Sequence, residues 1–245
     1  MLVTGGARRI GAAIARGFGD AGWHVVIHYG HSRAEAEALA VSLPSAEVIS
    51  CDLADPNAAA AMIDALAARL DDWRVLVNSA SIFELDLATE LRPEVFDQAM
   101  RVNAMAPARM AQRFFAQARA SSGRRVIHIT DMKIANPNPD FFSYTMSKHA
   151  LAATVKMLAM TAPCPSDRVY AIAPGAILAS HDQSEDETEV SHRMNLLHRK
   201  TGADEIAAAA LFLSQGWLAS GETLFVDSGQ HLLAQPRDVL YLARE

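Results

Sequence analysis

The chain has 245 residues, 51% of them hydrophobic, and a formal net charge of −6; it suits one large α/β domain spanning 1–245 better than two small ones. The acidic balance excludes a basic nucleic-acid face, and no apolar run nears the ~20 residues of a membrane span. Met1 leads straight into an apparent strand with no secretory signal, and Cys51 and Cys164 stand far apart outside any CxxC pattern, so a cytoplasmic protein with reduced thiols is expected.

Residues 2–11 read LVTGGARRIG. A short apolar strand runs into a glycine turn and then a helix with Ile10, Ile14 and Phe18 on one stripe. Outward-pointing N–H groups at such a helix start suit a pyrophosphate, and the position at a first βα turn strengthens that reading over an ordinary loop. The second strand, His24–His28, ends in HYGHSR. A carboxylate there would hold an NAD ribose, and none is present. Arg8, Arg9, His28, His31, Ser32 and Arg33 offer donors and positive charge instead. Arginine accepts a 2′-phosphate through its charge-assisted fork, so NADPH is expected over NADH, with at least one of these arginines merely solvated.

Helix Ala34–Leu43 and strand Glu47–Cys51 lead to Asp52-Leu53, where the Asp either holds an adenine amino group or caps the next helix, Pro56–Leu70. A fourth strand, Arg74–Val77, ends in NSAS, whose small Ser79, Ala80 and Ser81 let backbone run close to a flat cofactor. Phe83 follows. Pro93–Ala120 reads as one long helix or a bent pair. Asn103 sits inside it and is a poor mid-helix residue, hence either exposed or bonding something specific.

The apolar run Val126–Ile129 reads as a buried parallel strand. It ends at Thr130-Asp131, and a Pro/Asn-rich loop leads to helix Ser143–Thr161 with Tyr144 and Lys148 one turn apart on one face. A carboxylate at a strand end facing a phenol and an ammonium makes a proton-transfer site. Strand Arg168–Ala173 then ends in Pro174-Gly175. Leu178–Lys200, with His181, His192 and His198, reads either as a mobile surface segment or as a substrate lid. Its histidines are too far apart for a good metal site, so no metal is expected. Thr201–Asp204 reads as a capping box for helix Glu205–Ser214, strand Thr223–Val226 closes the sheet, and the amphipathic tail Gln235–Glu245 is expected against a neighbouring subunit.

TGGARRIG, Asp52, NSAS at 78–81, Asn103, Tyr144-x-x-x-Lys148 and Pro174-Gly175 occur in order along essentially the whole chain, which thereby resembles the short-chain dehydrogenase/reductases. The resemblance implies a doubly wound Rossmann parallel sheet of about seven strands with helices on both faces, assembled as a homotetramer or dimer. It implies cofactor contacts from Gly5, Arg8, Arg9, Ile10 and Gly11, from His28, Tyr29, His31 and Ser32, from Asp52 and Leu53, from Asn78, Ser79 and Ala80, and from Tyr144, Lys148, Pro174 and Gly175. Two departures narrow it: Arg9 stands where the family has a second glycine, and Asp131 where it has a catalytic serine. With HYGHS and Ser81-x-Phe83, these look like the pteridine reductases and bacterial dihydromonapterin reductases. That branch implies NADPH-dependent reduction of dihydropterins, with Asp131, Tyr144, Lys148 and Asn103 catalytic, Ser81, Phe83, Asp131 and Tyr144 meeting the substrate, and Phe83 stacking the pterin.

The chemistry of the residues agrees. A phenol of ordinary pKa ~10 is a proton donor at neutral pH. An ammonium at about 4 Å contributes roughly 4 kcal/mol at an effective dielectric near 20, which lowers that pKa by at most about 3, while an ionised Asp131 pulls the other way. A carboxylate repels the oxyanion of a reduced ketone but can accept or relay the proton of a reduced C=N bond. The expectation is therefore a dihydropterin reductase; the alternatives are a carbonyl or 3-oxoacyl reductase and a non-catalytic NADP(H)-binding sensor.

Overall fold

Each strand is followed by a helical crossover, and a chain that crosses back over its sheet in this way lays neighbouring strands parallel. The computed structural model describes residues 1–177, 179 and 183–244. Leu178, Ser180, His181, Asp182 and Glu245 lie outside the described residues, and with them part of the expected lid and one of its three histidines. Seven parallel strands run in the order β3-β2-β1-β4-β5-β6-β7. They are β1 Leu2–Val3, β2 Val25–Tyr29, β3 Ala46–Ser50, β4 Val75–Asn78, β5 Arg125–Ile129, β6 Arg168–Pro174 and β7 Thr223–Val226. Leu2 pairs with Val26 on one side and Leu76 on the other, so the order reverses at β1/β4 and leaves a crevice at the strands' carboxyl ends.

Side chains alternate through the sheet into two cores. Val3, Ile27, Val77, Ile127 and Ile172 face Ile14 and Phe18 of α1 (Arg9–Asp20) and Ile206 and Leu213 of α8 (Ala203–Ser214), with α2 (Arg33–Ser42) also on this side. Leu2, Val26, Leu76, Val126 and Val169 face Ile63 and Leu66 of α3 (Pro56–Ala67), Met110 and Phe114 of α5 (Ala106–Gln117) and Val155 of α6 (Phe142–Met160). Burial on both faces explains why the strands read as apolar runs rather than alternating ones.

The stretch read as one helix or a bent pair is one continuous helical run: α4 (Pro93–Ala99), a π-helical turn (Met100–Met105) and α5. The cap of α8 falls one residue later than expected. Gly202 is the N-cap and the Glu205 carboxylate accepts its N–H at 2.8 Å, because the Thr201 hydroxyl is taken by Ser228 at 2.7 Å. α7 (Glu185–Ser191) starts in a capping box from Ser184 and Glu187. The tail departs from expectation more: α9 (Val239–Leu242) folds back so that Val239 and Leu240 are buried within their own chain. No helix of the described residues is long and apolar enough to cross a membrane.

Trp73 anchors the second core. It is 1% exposed, meets Phe114 edge-on with centroids 4.8 Å apart, and donates its indole N–H to the Val75 carbonyl at 2.9 Å. Trp73→Ala is expected to lower unfolding free energy by about 3–5 kcal/mol, read as a shifted midpoint in chemical denaturation.

Candidate active site

Just beyond β5, Thr130 still bonds the Ile172 carbonyl of β6 through its N–H and its hydroxyl, and the next side chain, Asp131, reaches across to α6. Its two oxygens are both engaged. Oδ1 accepts the Lys133 N–H at 2.9 Å, capping the 3-10 turn Met132–Ile134, and Oδ2 accepts the Tyr144 hydroxyl at 2.7 Å. Burial raises the Asp131 carboxyl above its ordinary range, opposed chiefly by the Lys133 charge. Burial, then Asp131, push the Tyr144 phenol well above 10. Burial lowers the Lys148 ammonium to about 8, against the pull of Asp131. Lys148 donates to the Ile129 carbonyl at 2.8 Å and stands 5.5 Å from the Tyr144 ring centroid. Burial and the Asp131 carboxyl outweigh the opposing Arg9 charge, and the phenol keeps its proton.

The start of α6 is fixed from a distance. Phe141 precedes it with φ +53° and supplies no cap. Asp86, from the loop after β4, accepts the Ser143 N–H at 2.8 Å and the Ser143 hydroxyl as well. The same loop is pinned by Asn103, 1% exposed. Its amide oxygen accepts the Ile82 N–H at 2.9 Å, and its amide nitrogen donates to the Ile82 carbonyl and the Ser147 hydroxyl, each at 3.0 Å. Asn103 sits in the π-helical turn, so the awkward mid-helix Asn is the one that bonds a specific partner. Phe83 follows, stacked on Phe141 at 4.0 Å and edge-on to Tyr144 at 4.7 Å, yet 38% exposed.

At the other end lies the glycine turn. Gly5 has φ +61°, and a Cβ there would come within 2.9 Å of the Ala80 Cα; one on Gly11 would meet the Gly5 carbonyl oxygen at 2.2 Å. Only bare backbone fits, which leaves a close-approach cradle of the kind a pyrophosphate needs. Arg9 holds φ +54° without being glycine, and its guanidinium donates to the Ala179 carbonyl at 3.2 Å. Thr4, buried beneath, accepts the Ser79 and Ala80 N–H groups at 3.0 and 3.1 Å and so sets the height of the NSAS backbone. Its signal in the sequence was only a hydroxyl residue ending the first strand.

A cavity of about 380 Å³ joins the two ends. It gathers Gly5, Arg8, Arg9, Ile10, Gly11, Ser79, Ala80, Ser81, Phe83, Asp131, Tyr144 and Gly175. Lys148 and Asn103 are buried behind it. Tyr29, His31 and Ser32 end β2 or open α2, away from the cavity lining, as do Asp52 and Leu53 after β3, and Pro174 is buried in β6.

Four sequence readings need correction. His28 is no phosphate donor: it is buried, its Nδ1 accepts the Gly5 N–H at 3.1 Å, and its Nε2 donates to the Cys51 carbonyl at 3.0 Å. Burial lowers its pKa, so it is a neutral crosslink under the glycine turn. The Asn78 amide turns inward to His128 at 3.2 Å and leaves only the following residues on the cavity. Asp52 does not cap α3; it closes a local turn on the Ala54 N–H at 2.9 Å, while Asp55 caps the helix. Of the charges expected at the phosphate end, Arg8 pairs with Glu35 and Arg33 with Glu37.

Residues that sequence reading missed complete the wall. These are Lys133, Asp238, Val239 and Leu240, from the loop after Asp131 and from the tail, and they stand beside Gln183, Ser191 and His192 of the segment read as surface or lid. Nothing in their local spacing marks them, because they reach the site only through tertiary packing. Among the described residues no cluster of His, Cys, Asp or Glu is placed to hold a metal.

The family model described as enoyl-(acyl carrier protein) reductase matches residues 5–231. Among solved structures, the chain is 32% identical to the FolM alternative dihydrofolate reductase 1 of Brucella suis, crystallised in complex with NADP. The superposition covers 96% of this chain and 95% of that one, with a TM-score of 0.89. The angucycline C-6 ketoreductase LanV, with bound NADP, is 27% identical over 95% of each chain, with a TM-score of 0.85. The 3-oxoacyl-acyl-carrier-protein reductase FabG of Staphylococcus aureus is 26% identical over 239 residues, 94% of this chain and 97% of that protein. With the parallel sheet, the glycine turn and the Tyr144/Lys148 face in place, the match over nearly the whole length shows that this chain belongs to the short-chain dehydrogenase/reductase family, whose members are oxidoreductases.

Proposed function

We propose that the protein is an NADPH-dependent reductase that converts a dihydropterin, of dihydrobiopterin, dihydromonapterin or dihydrofolate type, to the tetrahydropterin. The observation that carries this reading is the buried Asp131, hydrogen-bonded to the Tyr144 hydroxyl at 2.7 Å, on a cavity that Phe83 also lines. NADPH, when bound, supplies the hydride. The turn from Gly5 to Gly11 would hold its pyrophosphate, Arg9 its 2′-phosphate, Lys148 its nicotinamide ribose, and Ser79, Ala80 and Gly175 its flat face. The NADP-bound FolM neighbour supports both the cofactor and the substrate class.

The proton follows from the chain's own groups. Tyr144 is protonated and points its hydroxyl at Asp131, and Asp131 sits where burial favours taking up a proton. The pair can hand a proton to a ring nitrogen and recover one through the carboxyl. A C=N acceptor suits this arrangement, since the nitrogen gains a proton where a ketone oxygen would gain negative charge beside a carboxylate. Phe83, stacked on one side by Phe141, leaves part of its ring open to a planar heterocycle.

A second reading is favoured by the same burial. A carboxyl kept protonated can donate to a developing oxyanion, which suits a carbonyl or 3-oxoacyl reductase, and ketoreductases stand among the relatives. Either reading goes with a cytoplasmic homotetramer or dimer, and the apolar Met157, Met160, Phe212 and Trp217 left exposed on α6 and around α8 support assembly.

Two outcomes test the proposal, both read as cofactor oxidation. The wild type turns over a dihydropterin and not a panel of ketones, and Tyr144→Phe loses about 10²–10⁴-fold in kcat; turnover of ketones only sinks the pterin reading. Asp131→Ser lowers kcat/KM for the dihydropterin by at least about tenfold. Undiminished dihydropterin turnover in Asp131→Ser would remove the C=N argument.

A further inference from the structure

The tail is wired into the cavity by buried charge. Lys133 lies two residues past Asp131, and its ammonium pairs with Asp238 at 2.7 Å and donates to the Asn138 amide oxygen at 3.0 Å. The two charged side chains are 6% and 14% exposed. The Asp238 N–H donates to Asp140 Oδ2 at 2.8 Å. Asp140, 1% exposed, also takes the Arg237 guanidinium at 2.8 Å. The other Asp238 oxygen caps α9 through the Leu240 N–H at 3.0 Å. Residues 237–240 are thus held by two ion pairs, a backbone contact and a buried apolar pair. Lys133 and Asp238 line the same cavity as Asp131 and Tyr144.

A buried ammonium needs a counter-charge. Three carboxyls lie about Lys133, and that of Asp140 is taken by Arg237. The Lys133 N–H is bonded to Asp131, and its side chain is bonded to Asp238. We propose that Asp238 is a positioning residue of the reaction site: by taking the Lys133 ammonium it leaves the second oxygen of Asp131 to the Tyr144 hydroxyl, so that the docked C-terminal segment completes the site. This inference rests on Asp131 and Tyr144 being the proton-handling pair. The other groups facing that pair are Lys148 on α6, Arg9 in the first loop, and His192 beyond α7. His128 on β5 is neutral, held by burial at about 3. Lys133 is the leading charge favouring ionised Asp131, and Asp238 acts on Tyr144 in the sense that keeps its proton.

The Asp131 carboxyl is to be titrated by carbon NMR in the cofactor-free protein, its signal identified by loss in Asp131→Asn. The pH profile of kcat/KM is taken alongside, on whichever substrate the wild type turns over. In Asp238→Asn the uncompensated ammonium stabilises the Asp131 carboxylate, and its titration falls by about one pH unit. In Lys133→Met the remaining Asp238 charge moves it up by a similar amount. In Lys133→Met/Asp238→Asn the two shifts cancel and the wild-type value returns. The kcat/KM limb lost in Asp131→Asn follows the same order. An unchanged Asp131 titration in either folded single variant overturns the inference, as does a double variant that keeps the shift of one single variant. If one single variant does not fold, the other decides. Failure of the pterin reading shows separately, as a wild type inactive on dihydropterins, and the NMR titration is decisive either way.

Discussion

The hydrogen bond from Tyr144 to Asp131 joins the end of a central strand to the first turn of the helix that crosses over it. Neither end of that bond is free to drift. Asp131 is held by the 3-10 turn it caps, and Tyr144 sits one turn into a helix whose start is gripped by Asp86 from the loop after β4. Burial sets the chemistry of the pair: taking both groups out of water raises both pKa values. The Lys148 ammonium, turned to the Ile129 carbonyl, leaves this balance to the carboxyl.

Around this bond, the loops at the carboxyl edge are organised by single polar side chains that do the work of missing backbone ladders. Asn103 gives Ile82 both a donor and an acceptor, as a neighbouring strand would. Thr4 collects two N–H groups of the NSAS turn, and His28 links the glycine turn to the end of β3. Each is buried, so each hydrogen bond is made where an unmet partner is expensive. A cleft lined by irregular backbone can stay open only if its backbone groups are satisfied in this way.

Charge is divided along the cleft. The glycine turn carries Arg9, which suits a phosphate-bearing cofactor, while the inner end holds Asp131 and Asp238 with Lys133 between them. Phe83 and Phe141 add an aromatic wall.

Much of this was legible in the sequence because it is local. Apolar runs bounded by helical periods imply parallel strands, glycines before a helix imply a close-approach turn, and the spacing of Tyr144 and Lys148 places both on one face of α6 whatever else the chain does. Asp131 at a strand end was equally readable, since strand ends are defined by where apolarity stops. The tertiary structure decided the rest. The helix periodicity that includes Asn103 does not say that the turn around it is π-helical or that Ile82 is its partner, and a histidine at the end of β2 looks the same whether it faces solvent or lies beneath Gly5. The tail, read as a subunit contact for its amphipathic pattern, instead turns back to Lys133 and Asp140, about a hundred residues away in sequence. Amphipathicity says that a face must be covered, and only the packed fold says by what.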